Sequence, residues 1–170
     1  TIPGHAIGVA VSDSPTGPFK DALGKALITN DMTKQTDIPW DDIDPAVFID
    51  TDGQAYLYWG NTYLKYAKLN TNMISLSSSI KTFSLDLFTE APWMHKRGST
   101  YYLSYAHNFP EDIAYSTGPS PTGPWTYRGV IMNKNTNVKT IHQAPIDFNG
   151  KSSMFYHSAR LSGGGEYRRA

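Results

Sequence analysis

A hairpin pattern recurs three times in this chain, and it limits the possible folds more than any other feature. Asp44-Pro45-Ala46-Val47-Phe48-Ile49 runs into a turn at Asp52-Gly53 and then Ala55-Tyr56-Leu57-Tyr58-Trp59. Glu90-Ala91-Pro92-Trp93-Met94-His95 runs into Arg97-Gly98 and then Tyr101-Tyr102-Leu103-Ser104-Tyr105. Gln143-Ala144-Pro145-Ile146-Asp147-Phe148 runs into Asn149-Gly150 and then Met154-Phe155-Tyr156. The prolines at 45, 92 and 145 lie 47 and 53 residues apart. A second repeat pairs Ser14-Pro15-Thr16-Gly17-Pro18-Phe19 with Ser120-Pro121-Thr122-Gly123-Pro124-Trp125, 106 residues apart, close to two periods. A hairpin unit repeating at about 50 residues reads as propeller blades of four strands each. A β-sandwich with accidentally similar hairpins is the alternative.

The repeat predicts strands at 46–50, 55–59, 63–69 and 79–83 in one blade. The next blade takes 92–96, 100–105, 112–116 and 125–131. Residues 7–12 and 26–28 fit the outer strands of a preceding partial blade, and 145–169 begin a following one. Asp-Gly and Asn-Gly between apolar runs are hairpin turns, so Asp50-Thr51-Asp52-Gly53 is a turn and not a calcium loop. The unbroken apolar run from Ala46 to Ile49 predicts a strand covered on both faces. Gly and Pro together make 25 of 170 residues, which favours turns over long helices. A little over three blades fit in 170 residues, and rings take four to eight. The expectation is therefore an all-β, partial five-bladed propeller with about three blades present. Residues 1–170 would form a piece of one catalytic domain, without its first blade and last part.

Charge excludes several functions. Fifteen Lys and Arg balance fifteen Asp and Glu, so there is no basic footprint for nucleic acid and no polybasic patch for a membrane surface. No apolar run is long enough to span a bilayer. With no Cys, disulfides, thiolate metal sites and a Cys nucleophile are excluded. What remains is a set of acids at the starts of the inner strands. Asp44 and Glu90 open two of the repeats, and Gln143 opens the third. Acids there would converge on a propeller axis, and paired carboxylates in an aromatic-walled cleft are the equipment of glycosidic hydrolysis. Alternatively, Asp44 caps a turn before Pro45 and Glu90 is a surface acid. Trp59 and Trp93 sit beside the two acids, to stack on a sugar face or to pack between blades.

The run Asp42 to Gly60 resembles the Asp-Pro blade of family 43 glycoside hydrolases. Thr89-Glu90-Ala91-Pro92-Trp93-Met94-His95-Lys96 resembles that family's general-acid motif. His142-Gln143-Ala144, Phe155-Tyr156-His157 and Gly163-Gly164-Gly165-Glu166-Tyr167-Arg168-Arg169 resemble its later central-His and Tyr-Arg-Arg segments. The resemblance implies a five-bladed propeller and an inverting glycosidase acting on terminal α-L-arabinofuranosyl or β-D-xylosyl linkages. Its substrates would be arabinoxylan, arabinan or xylo-oligosaccharides. It implies Glu90 as general acid and Asp44 as the carboxylate that orients the acid and raises its pKa. Arg169, and after it Arg168, would hold a sugar hydroxyl. No cofactor would be required; a structural calcium ion would lie at His142, held directly or through water. The family's general-base Asp belongs to a first blade that would precede residue 1, so the chain alone should not turn over. The setting expected is bacterial and secreted or periplasmic, with a cytoplasmic one open. A non-catalytic propeller that binds glycans or proteins is the competing reading, because a fold alone does not fix an activity.

Overall fold

The structure, a computed structural model, describes residues 4–33, 37–134 and 138–158. It is all-β apart from one 3-10 turn at Asn30–Met32. Strands β3 (Ala46–Ile49), β4 (Ala55–Trp59), β5 (Leu64–Lys68) and β6 (Lys81–Phe83) form one antiparallel meander. Strands β7 (Phe88–Arg97), β8 (Thr100–His107), β9 (Asp112–Gly118) and β10 (Thr126–Met132) form a second. Two shorter pairs flank them: β1 (Ala10–Val11) with β2 (Lys20–Asp21), and β11 (Gln143–Phe148) with β12 (Lys151–Tyr156). Strand β7 lies against both β3 and β11, so the first strands of successive sheets are neighbours. No helix among the described residues is long and apolar enough to cross a membrane.

Turn chemistry sets the hairpins. Asn149 and Gly150 have φ of 49° and 71° between the paired residues Phe148 and Lys151. That is a two-residue turn with both centres left-handed, which Asn-Gly supplies at least cost. At the first hairpin Gly53 (φ 84°) donates to Asp50 O, and the Asp52 carboxylate accepts from the Gln54 N–H. The Ser-Pro-Thr-Gly-Pro copies are alike locally. Ser14 Oγ meets Thr16 Oγ1 at 2.9 Å, and Ser120 Oγ meets Thr122 Oγ1 at 3.2 Å.

Alternation of side chains across β4 and β5 feeds two cores. Tyr56, Tyr58 and Leu64 pack against Phe88, Met94, Tyr101, Leu103 and Tyr105 of the second sheet. Tyr58, Tyr66 and Phe83 stack in sequence on that face. On the opposite face, Ala55, Leu57, Trp59 and Ala67 pack against Ile7 and Ile28, which bridge to each other. This N-terminal segment does not reach the first strand of the sheet. Val47 and Ile49 pair with Leu57 and Ala55 and share their face, yet they are 51% and 59% exposed. The expectation that β3 is covered on both faces therefore fails for this chain. Phe148 and Phe155 of the β11–β12 pair are also exposed.

Strand β7 begins at Phe88, four residues before the start predicted from the repeat. Its pairing with β8 slips between Phe88 and Glu90 and again between Glu90 and Trp93. Glu90 thus sits inside the strand on a bulged stretch, and bulges re-aim side chains.

Candidate active site

Three side chains meet at the bulge: Glu90 within β7, Asp44 just before β3 and His142 just before β11. His142 Nε2 lies 2.8 Å from Glu90 Oε1 and 3.7 Å from Asp44 Oδ2. Asn61 Nδ2 donates to the other Glu90 oxygen at 2.9 Å. The Ala91 N–H donates to Asp44 Oδ2 at 3.3 Å. A cavity of about 190 Å³ opens beside them, lined by Asp44, Ala91, Trp93, His142 and Gln143 among others.

Backbone geometry aims these groups. Asp44 (φ 57°) and Ala91 (φ 53°) are both left-handed, and each precedes a proline. The backbone counterpart of Asp44 is therefore Ala91, and Glu90 lies one residue earlier. The repeat alone would put Asp44 and Glu90 at one position; the bulge in β7 is what brings them together instead. The chain leading to Asp44 is anchored from below. Lys65, fully buried, meets Asp41 Oδ2 at 3.0 Å and Asp42 Oδ1 at 3.2 Å, and its Nζ also donates to Asp41 O at 2.9 Å. Thr33 Oγ1 donates to Asp42 Oδ2. The peptide N–H groups of Gly60 and Asn61 donate to Ile43 O and Asp41 O. The same contacts hold Asn61 at the cleft.

Gln143 does not join the acids. It is 5% exposed and donates to Ala91 O at 3.0 Å and Ser104 Oγ at 3.2 Å. The residue just before β11, His142, reaches the cleft instead. Of the two tryptophans, Trp93 lines the cavity, with its Nε1 donating to Pro145 O at 2.9 Å. Trp59 has no exposed surface and donates to Asp42 Oδ1 at 2.7 Å. It shares the face of Leu57, away from the cleft, so the expectation that Trp59 contacts substrate is corrected. Arg168 and Arg169 lie outside the described residues.

Two further contributors, Asn61 and Glu111, have no signal of their own in the sequence, and His157 figures there only within the Phe155-Tyr156-His157 run. Glu111, 1% exposed, accepts the Ile141 N–H at 2.6 Å. His157 Nδ1 accepts the His142 N–H at 3.2 Å, so its Nε2 carries the proton and donates to Thr140 O at 2.9 Å. Each contact spans 15 residues or more and depends on loop geometry.

Electrostatics follows from this crowding. Burial disfavours a charged His142, but the hydrogen bond to Glu90 and the charges of Asp44, Glu90 and Glu111 outweigh it and raise its pKa. Burial pushes the Glu111 carboxyl up to about 8; the Ile141 N–H works the other way, and the charges of Glu90 and Asp44 add to the rise. Asp44, Glu90 and His142 offer ligand atoms within 4.8 Å of one another. As a direct calcium shell they do not fit. Calcium takes about six to eight oxygens, whereas the trio offers one nitrogen and two carboxylates, and that nitrogen is already hydrogen-bonded to Glu90. Together the side chains can hold and pass a proton beside a pocket that has an aromatic wall.

The family described as "Glycosyl hydrolases family 43" matches residues 2–170. Among curated relatives, an arabinoxylan arabinofuranohydrolase of Bacillus subtilis (strain 168) is 34% identical, over 94% of this chain and 36% of its own length. A xylosidase/arabinosidase of Bacteroides ovatus is 31% identical, over 96% of this chain and 59% of its own. An α-L-arabinofuranosidase structure from Clostridium thermocellum superposes with a TM-score of 0.85 at 37% identity, covering 94% of this chain and 56% of that one. A β-xylosidase/α-arabinofuranosidase from a compost metagenome, solved with xylotriose in a calcium-free form, gives 0.79 at 33% identity. It covers 96% of this chain and 60% of that one. The chain thus spans between about a third and three fifths of the length of these relatives.

Proposed function

The chain belongs to glycosyl hydrolase family 43, and on that premise we propose that it forms the acid side of an inverting glycosidase acting on terminal pentosyl units of arabinoxylan or xylo-oligosaccharides. Its sheets are then successive blades of a five-bladed propeller, and the 1–170 segment is part of one catalytic domain. The observation that carries this is the meeting of Asp44, Glu90 and His142 beside the Trp93 pocket. The naming of the relatives for arabinofuranosyl and xylosyl substrates supports the substrate class.

Glu90 is the proton donor. Two carboxylates and an imidazole this close titrate as a unit, and the charge on Asp44 makes a second ionisation costly. The cluster therefore retains a proton that a departing glycosidic oxygen can take. Asn61 and His142 fix the carboxyl plane, so the proton is presented in one direction. Trp93 offers an apolar ring to a sugar face. Inversion also needs a carboxylate about 6.5–9.5 Å from the acid to activate water; that role is assigned to none of the described residues.

Hydrolysis of p-nitrophenyl α-L-arabinofuranoside and β-D-xylopyranoside by the full-length protein tests the reading. Release of nitrophenol from either is the expected result. Failure on both, and on arabinoxylan and xylan, would leave a glycan-binding propeller.

A further inference from the structure

Four successive residues, 139 to 142, lead into the cleft, and one backbone group of each is held by a hydrogen bond. The Glu111 N–H donates to Lys139 O at 2.8 Å. Thr140 O accepts from His157 Nε2, Ile141 N–H donates to Glu111 Oε2, and His142 N–H donates to His157 Nδ1. Glu111 therefore grips the segment twice, once through its backbone and once through its carboxyl. It sits just before β9, in the connection from β8, and both it and Ile141 are 1% exposed. Burying a carboxyl beside Asp44 and Glu90 is unfavourable, and an apolar residue would fill the space without that cost. What the carboxyl provides is an acceptor for a buried N–H directly before His142.

We propose that Glu111 is a positioning residue for the proton donor, holding the 139–141 segment so that His142 meets Glu90. The inference deepens the glycosidase reading and rests on it. Glu111 touches no substrate; its effect passes through His142 to the Glu90 carboxyl. Loss of the acceptor frees the Ile141 N–H to find another partner, the segment shifts, and the His142–Glu90 contact opens.

The test uses the full-length enzyme with an aryl pentoside and the matching alkyl pentoside, whose leaving group needs the proton. Glu111→Ala should lower kcat on the alkyl substrate by about 100-fold, the scale of an ångström of misplacement, with KM hardly changing. Glu111→Gln keeps an oxygen for the Ile141 N–H and should restore most of the rate. In a Glu90→Ala background, Glu111→Ala should cost almost nothing further, because the group it positions is gone. The proposal is overturned if Glu111→Gln fails as badly as Glu111→Ala, or if the full loss persists in the Glu90→Ala background. Should the wild type hydrolyse neither pentoside, the glycosidase reading fails by itself, and imidazole NMR decides the positioning. His142 ring resonances that move in Glu111→Ala and return in Glu111→Gln support it; resonances unmoved by Glu111→Ala sink it.

Discussion

Glu90 takes one hydrogen bond from Asn61, just beyond β4, and one from His142, just ahead of β11. If it is the proton donor, Glu90→Ala should cost most where the leaving group is poor. General acid catalysis contributes about 10²–10⁴-fold, so alkyl pentosides should lose that factor while nitrophenyl pentosides lose far less. Equal losses on both would mean that Glu90 does not donate the proton. Asp44→Asn probes the partner. Asn tolerates the left-handed φ of 57°, so the backbone survives and only the charge goes. With one negative charge fewer nearby, the donor gives up its proton more readily, and the basic limb of the pH–rate profile should move to lower pH. A limb that stays in place would separate Asp44 from the donor's ionisation. At this scale the sequence was informative where chemistry sat in a motif, as with Asp44, Glu90 and His142. It misassigned Trp59 because two tryptophans beside acids look alike in one dimension. Strand alternation turns Trp59 to the Leu57 face, whereas the end of the β7 bulge turns Trp93 to the cavity. Glu111 stayed hidden because its partner lies 30 residues on, in a segment without periodicity.

Between the two four-stranded sheets, polar contacts at Asp50 complement the aromatic packing. Asp50, at the end of β3, accepts from Lys96 Nζ at 2.7 Å and from Tyr101 Oη at 2.6 Å. Burial pushes the Asp50 carboxyl up, but the hydrogen bonds from Lys96, Tyr101 and the Thr51 N–H outweigh it and hold it at about 2. The folded pKa is thus below the unfolded value of 3.8. Its stabilisation is complete above that unfolded value and is lost as pH falls through about 2. Asp50→Asn should therefore destabilise the folded protein at neutral pH by about 1.5 kcal/mol, the scale of a hydrogen bond to a charged group. In denaturant titrations the gap between variant and wild type should close between pH 4 and pH 2. A gap independent of pH would show that the carboxylate charge contributes nothing. Hairpins at this level were readable, because Asp-Gly and Asn-Gly specify their turns locally. The slipped start of β7 was not, because its register is set by β8 and by the Ala91 contact to Asp44, 47 residues away.

Among the described residues, apolar sheet surface is exposed on both the β3–β6 and the β11–β12 sheets. Val47 and Ile49 face out on the first, and Ile146, Phe148 and Phe155 on the second. Apolar faces of this kind invite association. The segment produced alone should elute as oligomers or aggregate and should bind a hydrophobic dye. A soluble, cooperatively unfolding monomer would contradict the placing of these faces against further blades. All-β class and sheet order were legible from the repeat, because a hairpin unit of about 50 residues repeats its turns and apolar runs together. Which faces remain bare was not, because that depends on neighbours beyond any one unit. The order in which the cleft receives its parts also sets a timetable during synthesis, which runs from the N-terminus. Asp44 and Asn61 emerge first, Glu90 follows, and His142 arrives 52 residues after Glu90. Until then the nascent cleft holds two carboxylates without their imidazole, and the cluster is completed only when the segment leading into β11 leaves the ribosome.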